Sequence, residues 1–335
     1  MRLEARTRRS RAALLLAPFA AIAFTLAVTM ALVAWAGAPI GETYALLFAG
    51  GFGSRFAWTE TLTRATPLVF TGLSVAIAFR ARLWNIGAEG QLYAGALAAV
   101  AVGGLHGGTG FDLPAGVLFP AMLGASVLAG AILLLVPTFL RTRFGVDEVV
   151  TTLLLNFIVL LAVSMLLDGP MKDPAALGWP QSVALRDDLQ LDKLVPRTRV
   201  HTGLVYAIVA RTTNARIAAA FAGVPVARTM ALVAVISGGL AGLAGAIEVA
   251  GRTGYVTLDM SPGYGYSGIV IAMLAGLSPL GVVAAAVFIA GVLVGADSMS
   301  RGVAVPTYIA DVIVAVSLVS MVVATLFVRY RLRLR

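Results

Sequence analysis

Asn85, Glu89, Gln91 and Asn156 are polar side chains set among long apolar runs. Hydrocarbon gives an amide or a carboxyl nothing to bond, so such groups at membrane depth face another helix or a polar route. A route lined by them would hydrogen-bond a polar solute as it crosses, and only modestly, because a solute held tightly would not leave. The alternative for each residue is an ordinary bond between two helices.

Other chemistries lack their parts. The chain has no cysteine, which removes thiol nucleophiles, thiolate metal sites and disulfides, and its two histidines, His106 and His201, are too few for a histidine-rich metal centre. One histidine in a Gly-rich loop and another beside a span do not set up a Ser-His-acid triad. No Gly-rich loop ends in Gly-Lys-Ser/Thr, and Gly87 and Gly90 lack both the lysine and a preceding strand, so the chain is not expected to bind or split ATP. No catalytic residue and no metal site is assigned, and the chain is expected to bind no cofactor.

The elements that must position the four polar residues are helices. Of 335 residues 59% are hydrophobic and 12% charged, and the runs 12–41, 113–140, 149–167, 229–247 and 260–296 contain no charge. A crossing takes about 20 apolar residues, which leaves room for about eight to ten spans and little for a soluble domain. The expectation is an all-α polytopic membrane protein, 1–335 forming one transmembrane domain, with some spans short or broken.

The net charge of +9 sits at the ends: Arg2, Arg6, Arg8, Arg9 and Arg11 precede the first apolar run, and Arg329, Arg331, Arg333 and Arg335 follow the last. Both ends read as cytoplasmic flanks beside lipid headgroups, 1–11 being the basic N-terminus. Nucleic acid is excluded as a partner, since no exposed domain remains to present a groove. The first run is longer than a signal h-region and more spans follow, so it reads as a retained helix.

Along the chain, 37–63 reads as an external surface element or re-entrant turn because Gly50, Gly51, Gly53, Arg55 and Glu60 interrupt it, and 65–79 as a short apolar segment closed inside by Arg80 and Arg82. Residues 83–91 read as a break in a helix that lines protein or water. The run 113–140 has room to bend at Pro120 or Pro137. Asp147 and Glu148 suit a helix N-terminus, and Asn156, eight residues beyond Glu148, falls near the same face. Residues 168–202 read as an extracytoplasmic loop.

The second half is less regular. The apolar stretch 203–210 spans only about 12 Å as helix, yet the arginine distribution requires a crossing there, which extension through Thr213 would help. Ser237, Gly238, Gly239, Gly242 and Gly245 suit close helix contact. Residues 264–277 and 280–296 form a broken pair around Ser278 and Pro279, and 308–328, with Asp311, is the last span. Tyr255, Tyr264 and Tyr266 read as anchors at an outer interface.

The motifs LWNIGAEGQ (83–91), GVDEVVTTLLLN (145–156) and GLSPLG (276–281), with 214–223 and 237–245, closely resemble the permease subunits of bacterial ABC importers for nucleosides and related simple sugars. The resemblance runs from about residue 65 to the C-terminus, and the first motif is its most specific part. It implies a multi-pass protein of the bacterial inner (cytoplasmic) membrane, paired with a second permease, identical or homologous. ATP and Mg would bind separate ATP-binding subunits, and an extracytoplasmic solute-binding protein would deliver the cargo. It also implies alternating access, with cytoplasmic coupling in 211–228 through Asn214, Arg216, Ala218, Ala219, Ala222 and Gly223.

The chain departs from the pattern just before Asn214, where roughly twenty residues, a helix's worth, are absent relative to the family. A nucleoside is the favoured solute, because 83–91 resembles that subgroup most, and a ribose- or galactose-like sugar is the close alternative. Two other classes stand against these: a secondary transporter or channel without ATPase subunits, whose broken helices look alike, and a non-transporting membrane scaffold.

Overall fold

The computed structural model describes residues 2–5, 11–104, 113–220, 226–303 and 330–333, with isolated positions between 312 and 324; side chains are described from residue 23 onward except at 213–220, 226–227 and 330–333. Helices make up almost all of this: α1 (Arg11–Trp35), α2 (Ile40–Phe52), α3 (Arg55–Arg80), α4 (Ala88–Gly103), α5 (Ala115–Phe144), α6 (Glu148–Asp168), α7 (Gly203–Ala220), α8 (Val226–Glu248), α9 (Tyr264–Leu274) and α10 (Pro279–Gly302). Among the described residues five segments are long and apolar enough to cross a membrane: Arg55–Arg80, Ala115–Phe144, Glu148–Asp168, Arg228–Thr253 and Pro279–Gly302. Shorter apolar helices cover Ala23–Trp35, Gly203–Thr212 and Tyr264–Leu274. The chain is an all-α polytopic membrane protein. The expected span 308–328, with Asp311, lies outside the described residues apart from isolated helical positions.

The basic ends carried no strand signal, yet β1 (Arg2–Ala5) and β2 (Tyr330–Arg333) pair antiparallel with Arg2 opposite Arg333. Contacts divide the chain into two compact units, 1–61 with 288–335, and 62–287.

In the first unit Tyr44 of α2 donates to the Leu26 carbonyl of α1 at 2.8 Å, and its hydroxyl meets that of Thr29 at 2.7 Å. Residues 37–63 are largely helical, taken up by α2 and the first turns of α3, and Ser54 opens α3 by accepting the Ala57 N–H at 3.0 Å. Gly51, read as an interruption, lies against the backbone of Gly291 in α10, where a side chain would not fit. The short segment expected at 65–79 is likewise the second half of the 26-residue α3. Hydropathy measures fitness for lipid, whereas 89% of this helix's most apolar window is buried in protein, where Thr61, Thr63 and Thr66 are tolerated.

In the second unit α4, α5 and α8 pack on one another, and the small-residue stripe of α8 is where they meet. A Cβ on Gly95 of α4 or on Gly130 of α5 would land on the backbone of Gly242, so three main chains converge there. Ser126 of α5 bonds the Gly95 carbonyl at 2.8 Å, while Ser74 of α3 and Ser237 of α8 each donate to the other's carbonyl, at 2.7 and 2.9 Å. By contrast α5 and α6 are buried over only 33% and 22% of their apolar windows, so their outer faces suit lipid or another subunit.

α5 runs through Pro120 and Pro137 as one helix and ends where Gly145 adopts φ 70°, a left-handed conformation that glycine takes without strain. α7 extends the short stretch 203–210 to 18 residues, about 27 Å, without a break before Asn214. Between α6 and α7 the loop 169–202 is fastened by backbone bonds from Leu185 to the Gly254 carbonyl at 2.7 Å and from Leu191 to the Ala250 carbonyl at 2.9 Å. Arg186 of the loop forks onto Asp188 at 3.0 and 2.6 Å, and those bonds hold the exposed Asp188 carboxyl below its usual range.

Candidate functional site

α3 ends at Arg80, Arg82 with a φ of 57° turns the chain away from it, and α4 begins only at Ala88. Several main-chain groups between them fall outside the ladders of both helices. α6 supplies the partners, one turn after another: the Glu148 carboxylate accepts the Trp84 N–H at 3.4 Å, Thr152 accepts the Ile86 N–H at 3.3 Å, and Asn156 donates to the Ile86 carbonyl at 2.9 Å. Asn156 Oδ1 then accepts the Gly90 N–H at 2.8 Å, in the first turn of α4. The i, i+4, i+8 spacing of Glu148, Thr152 and Asn156 is what lets one helix face follow an extended break. That face stays oriented because Asp147 caps α6, accepting the Val149 N–H at 2.8 Å, and because Arg141 joins Glu148 at 2.5 Å and the Arg82 carbonyl at 2.7 Å.

Asn85 and Gln91 close the break from within. Their amides exchange bonds at 3.0 and 2.9 Å, Asn85 Oδ1 also accepts the Gly87 N–H at 3.0 Å, and Asn85 Nδ2 donates to Ser237 of α8 at 3.0 Å.

Glu89 points elsewhere, to the start of α9. Its carboxylate accepts the Gly265 N–H at 2.5 Å and bonds the Ser261 side chain, while Ser261 Oγ accepts the Tyr264 N–H at 2.9 Å. A Cβ on Gly265 would fall on the Glu89 main chain, so the N-termini of two short helices abut. Both ends carry partial positive charge, and the one carboxylate serves both. Tyr93, one turn on from Glu89, ties down the preceding loop by donating to the Leu258 carbonyl at 2.5 Å.

The structure therefore brings Asn85, Glu89, Gln91 and Asn156 together around one break. They are 0, 3, 2 and 0% exposed, and the depression beside Gly87, Gly90 and Thr152 has no room for a water molecule, so in this conformation their bonds are spent within the protein. The coupling residues lie elsewhere: Asn214, Arg216, Ala218 and Ala219 follow the second half of the α7 backbone, and Ala222 and Gly223 fall outside the described residues. Of the tyrosines read as interface anchors, Tyr264 is fully buried and Tyr266 receives a bond from Asn156 at 3.3 Å. Among the described residues no group of three or more His, Cys, Asp or Glu gathers as a metal site.

Sequence reasoning missed an ion pair. Glu248, at the end of α8 and 0% exposed, binds Arg252, whose second nitrogen donates to the Met260 carbonyl at 2.9 Å. The signal was present as an acid and a base four residues apart just past an apolar run.

Comparison with known proteins agrees with this architecture. The model of a family described as branched-chain amino acid transport system / permease component matches residues 57–189 and 200–324. The chain is 32% identical over 323 residues to the guanosine ABC transporter permease protein NupP of Bacillus subtilis, covering 90% of this chain and 91% of that one. It is 34% identical over 330 residues to the glucose ABC transporter permease protein TsgB13 of Haloferax volcanii, covering 90% and 85%. A third relative, the nucleoside ABC transporter permease protein NupB of Lactococcus lactis, is 28% identical over 299 residues, covering 81% and 80%. No solved structure matches.

Proposed function

We infer the function from one premise: the chain belongs to the branched-chain amino acid transport system / permease component family, as a membrane-spanning ABC transporter permease. It is a multi-pass membrane protein and not the catalytic subunit of its system.

The finer reading is an importer of nucleosides in the bacterial cytoplasmic membrane. The observation that carries it is the 32% identity to a guanosine permease across nine-tenths of the chain, with a second nucleoside permease among the relatives. The glucose permease relative, at 34%, favours a hexose as the second reading. ATP and Mg bind separate ATP-binding subunits, a solute-binding protein delivers cargo at the side of the 169–202 loop, and a second permease completes the pathway.

In this reading the break at 83–91 and the start of α9 bound the solute route. Asn85, Glu89, Gln91 and Asn156 exchange their internal partners for the solute when the helices move apart. Coupling enters through the α7 end and the segment beyond it, from Asn214 and Arg216 through Ala218, Ala219, Ala222 and Gly223. Near-complete switching between facing states needs about 5 kcal/mol of differential binding, which closure of the ATP-binding subunits supplies.

The test is uptake by the complete transporter reconstituted in vesicles. ATP-dependent accumulation of guanosine is expected. Accumulation of glucose with no response to nucleosides selects the second reading, and accumulation of neither overturns both.

A further inference from the structure

Glu248 is wholly buried in a membrane-crossing segment, and only one of its carboxylate oxygens is used, by Arg252; Oε2 has no hydrogen-bond partner. His201, at the end of the 169–202 loop, is 1% exposed, and neither of its ring nitrogens has a partner. The imidazole lies against Gly251, three residues past Glu248, and Arg252 acts electrostatically on both side chains. Burial of polar atoms without partners disfavours the folded state, and a buried ion pair gives little stability in return. Packing alone therefore offers no reason for three unmet polar atoms on, or on a ring packed against, the one segment 248–252.

We propose that Glu248, Arg252 and His201 form a solute site for a neutral polyhydroxyl compound, the sugar moiety of a nucleoside or a free sugar, at the end of the bundle that the 169–202 loop covers.

The chemistry of the unmet atoms selects the class. A carboxylate oxygen needs a donor, and a neutral imidazole needs one donor and one acceptor. Adjacent hydroxyls supply both. An anionic solute meets Glu248, and a cationic one meets Arg252 and, from α3, Arg64. The backbone here is also irregular: Val249–Thr253 is a π-turn, a widening of the helix that recurs at functional sites. The covering loop is held to this segment by backbone bonds at Ala250, Gly254 and Val256, so its release uncovers the pair.

The proposal rests on the importer reading, and its test separates the two. In the reconstituted complete transporter, with the solute-binding protein saturated, Glu248→Gln is expected to lower guanosine uptake about tenfold, the loss of one charge-assisted bond to the solute. A structural role would also lower uptake, so the deciding measurement uses the absence of native cysteine. In His201→Cys, alkylation of the thiol, read by peptide mass spectrometry, is expected to slow about tenfold at guanosine ten times above half-saturation, when about a tenth of sites stay empty. The analogue 2′,3′-dideoxyguanosine, without the hydroxyl pair, is expected to give no protection. Should His201→Cys fail to assemble, Thr253→Cys in the π-turn gives the same reading. Equal alkylation with and without a solute that wild type transports overturns the proposal and leaves the importer reading intact. Wild-type vesicles that accumulate neither guanosine nor glucose overturn the importer reading instead.

Discussion

The carboxylate of Glu89, in the first turn of α4, accepts the backbone N–H of Gly265, in the first turn of α9, at 2.5 Å. One side chain thereby fixes two helix starts against each other. Glu89→Ala leaves the Gly265 donor buried and unpaired, which costs about 1–3 kcal/mol. A lower melting temperature in detergent and a loss of uptake are expected, with Glu89→Gln milder because its carbonyl oxygen still accepts. A Glu89→Ala protein as stable as wild type would remove the cap from the account.

Asn156 serves the break through both ends of its amide, so Asn156→Leu strands the Gly90 N–H and the Ile86 carbonyl together. About 2–4 kcal/mol of destabilisation is expected. Asn156→Asp keeps the acceptor for Gly90 but sets a carboxylate against the Ile86 carbonyl, so it is expected to fall between. Thermal melts of the three proteins at one detergent concentration check the order.

Gly242 and Gly124 are both glycines within long helices, and their substitutions should separate cleanly. A Cβ on Gly242 meets the Ser126 carbonyl of α5, whereas a Cβ on Gly124 meets nothing within 4 Å. Gly242→Ala is expected to cost several kcal/mol or prevent assembly. Gly124→Ala is expected to be neutral or to stabilise by up to about 1 kcal/mol. Yield and melting temperature decide, and equal behaviour would contradict the three-helix junction.

Much of this was legible in the chain. The apolar runs gave the class, the stripe from Ser237 to Gly245 gave the close contact, and the eight-residue spacing from Glu148 to Asn156 gave the face that holds the break. What hydropathy could not give was α3, because a helix enclosed by protein carries threonines and charges that a lipid-facing one cannot. It also misread Gly50 and Gly51 as breakers, when a glycine that ends a helix and one that admits a neighbouring backbone look identical in sequence. The pairing of Glu89 with Gly265, 176 residues apart, has no local signature at all.

Burial, with the Arg252 guanidinium nearby, holds the His201 pKa down to about 4, against 6.5 for the free side chain. The unfolded chain takes up a proton between these values and the folded protein does not. The resulting stability is complete above about pH 6.5 and is lost as pH falls toward 4, by about 2 kcal/mol at pH 5. Melting temperatures at pH 7.5 and 5 should diverge more in wild type than in His201→Gln. An identical pH dependence in the two would show that His201 is not the group responsible.

The π-turn at Val249–Thr253 holds one residue more than an α-helical turn would, at the end of the segment, where Gly254 turns the chain out with φ 78°. Gly251, inside this turn, faces His201 and not the junction with α4 and α5 where Gly242 sits. Deleting a single residue there would leave the hydrophobic content untouched and rotate Arg252 off its carboxylate. At this point in the chain an indel, not a substitution, is the more disruptive change.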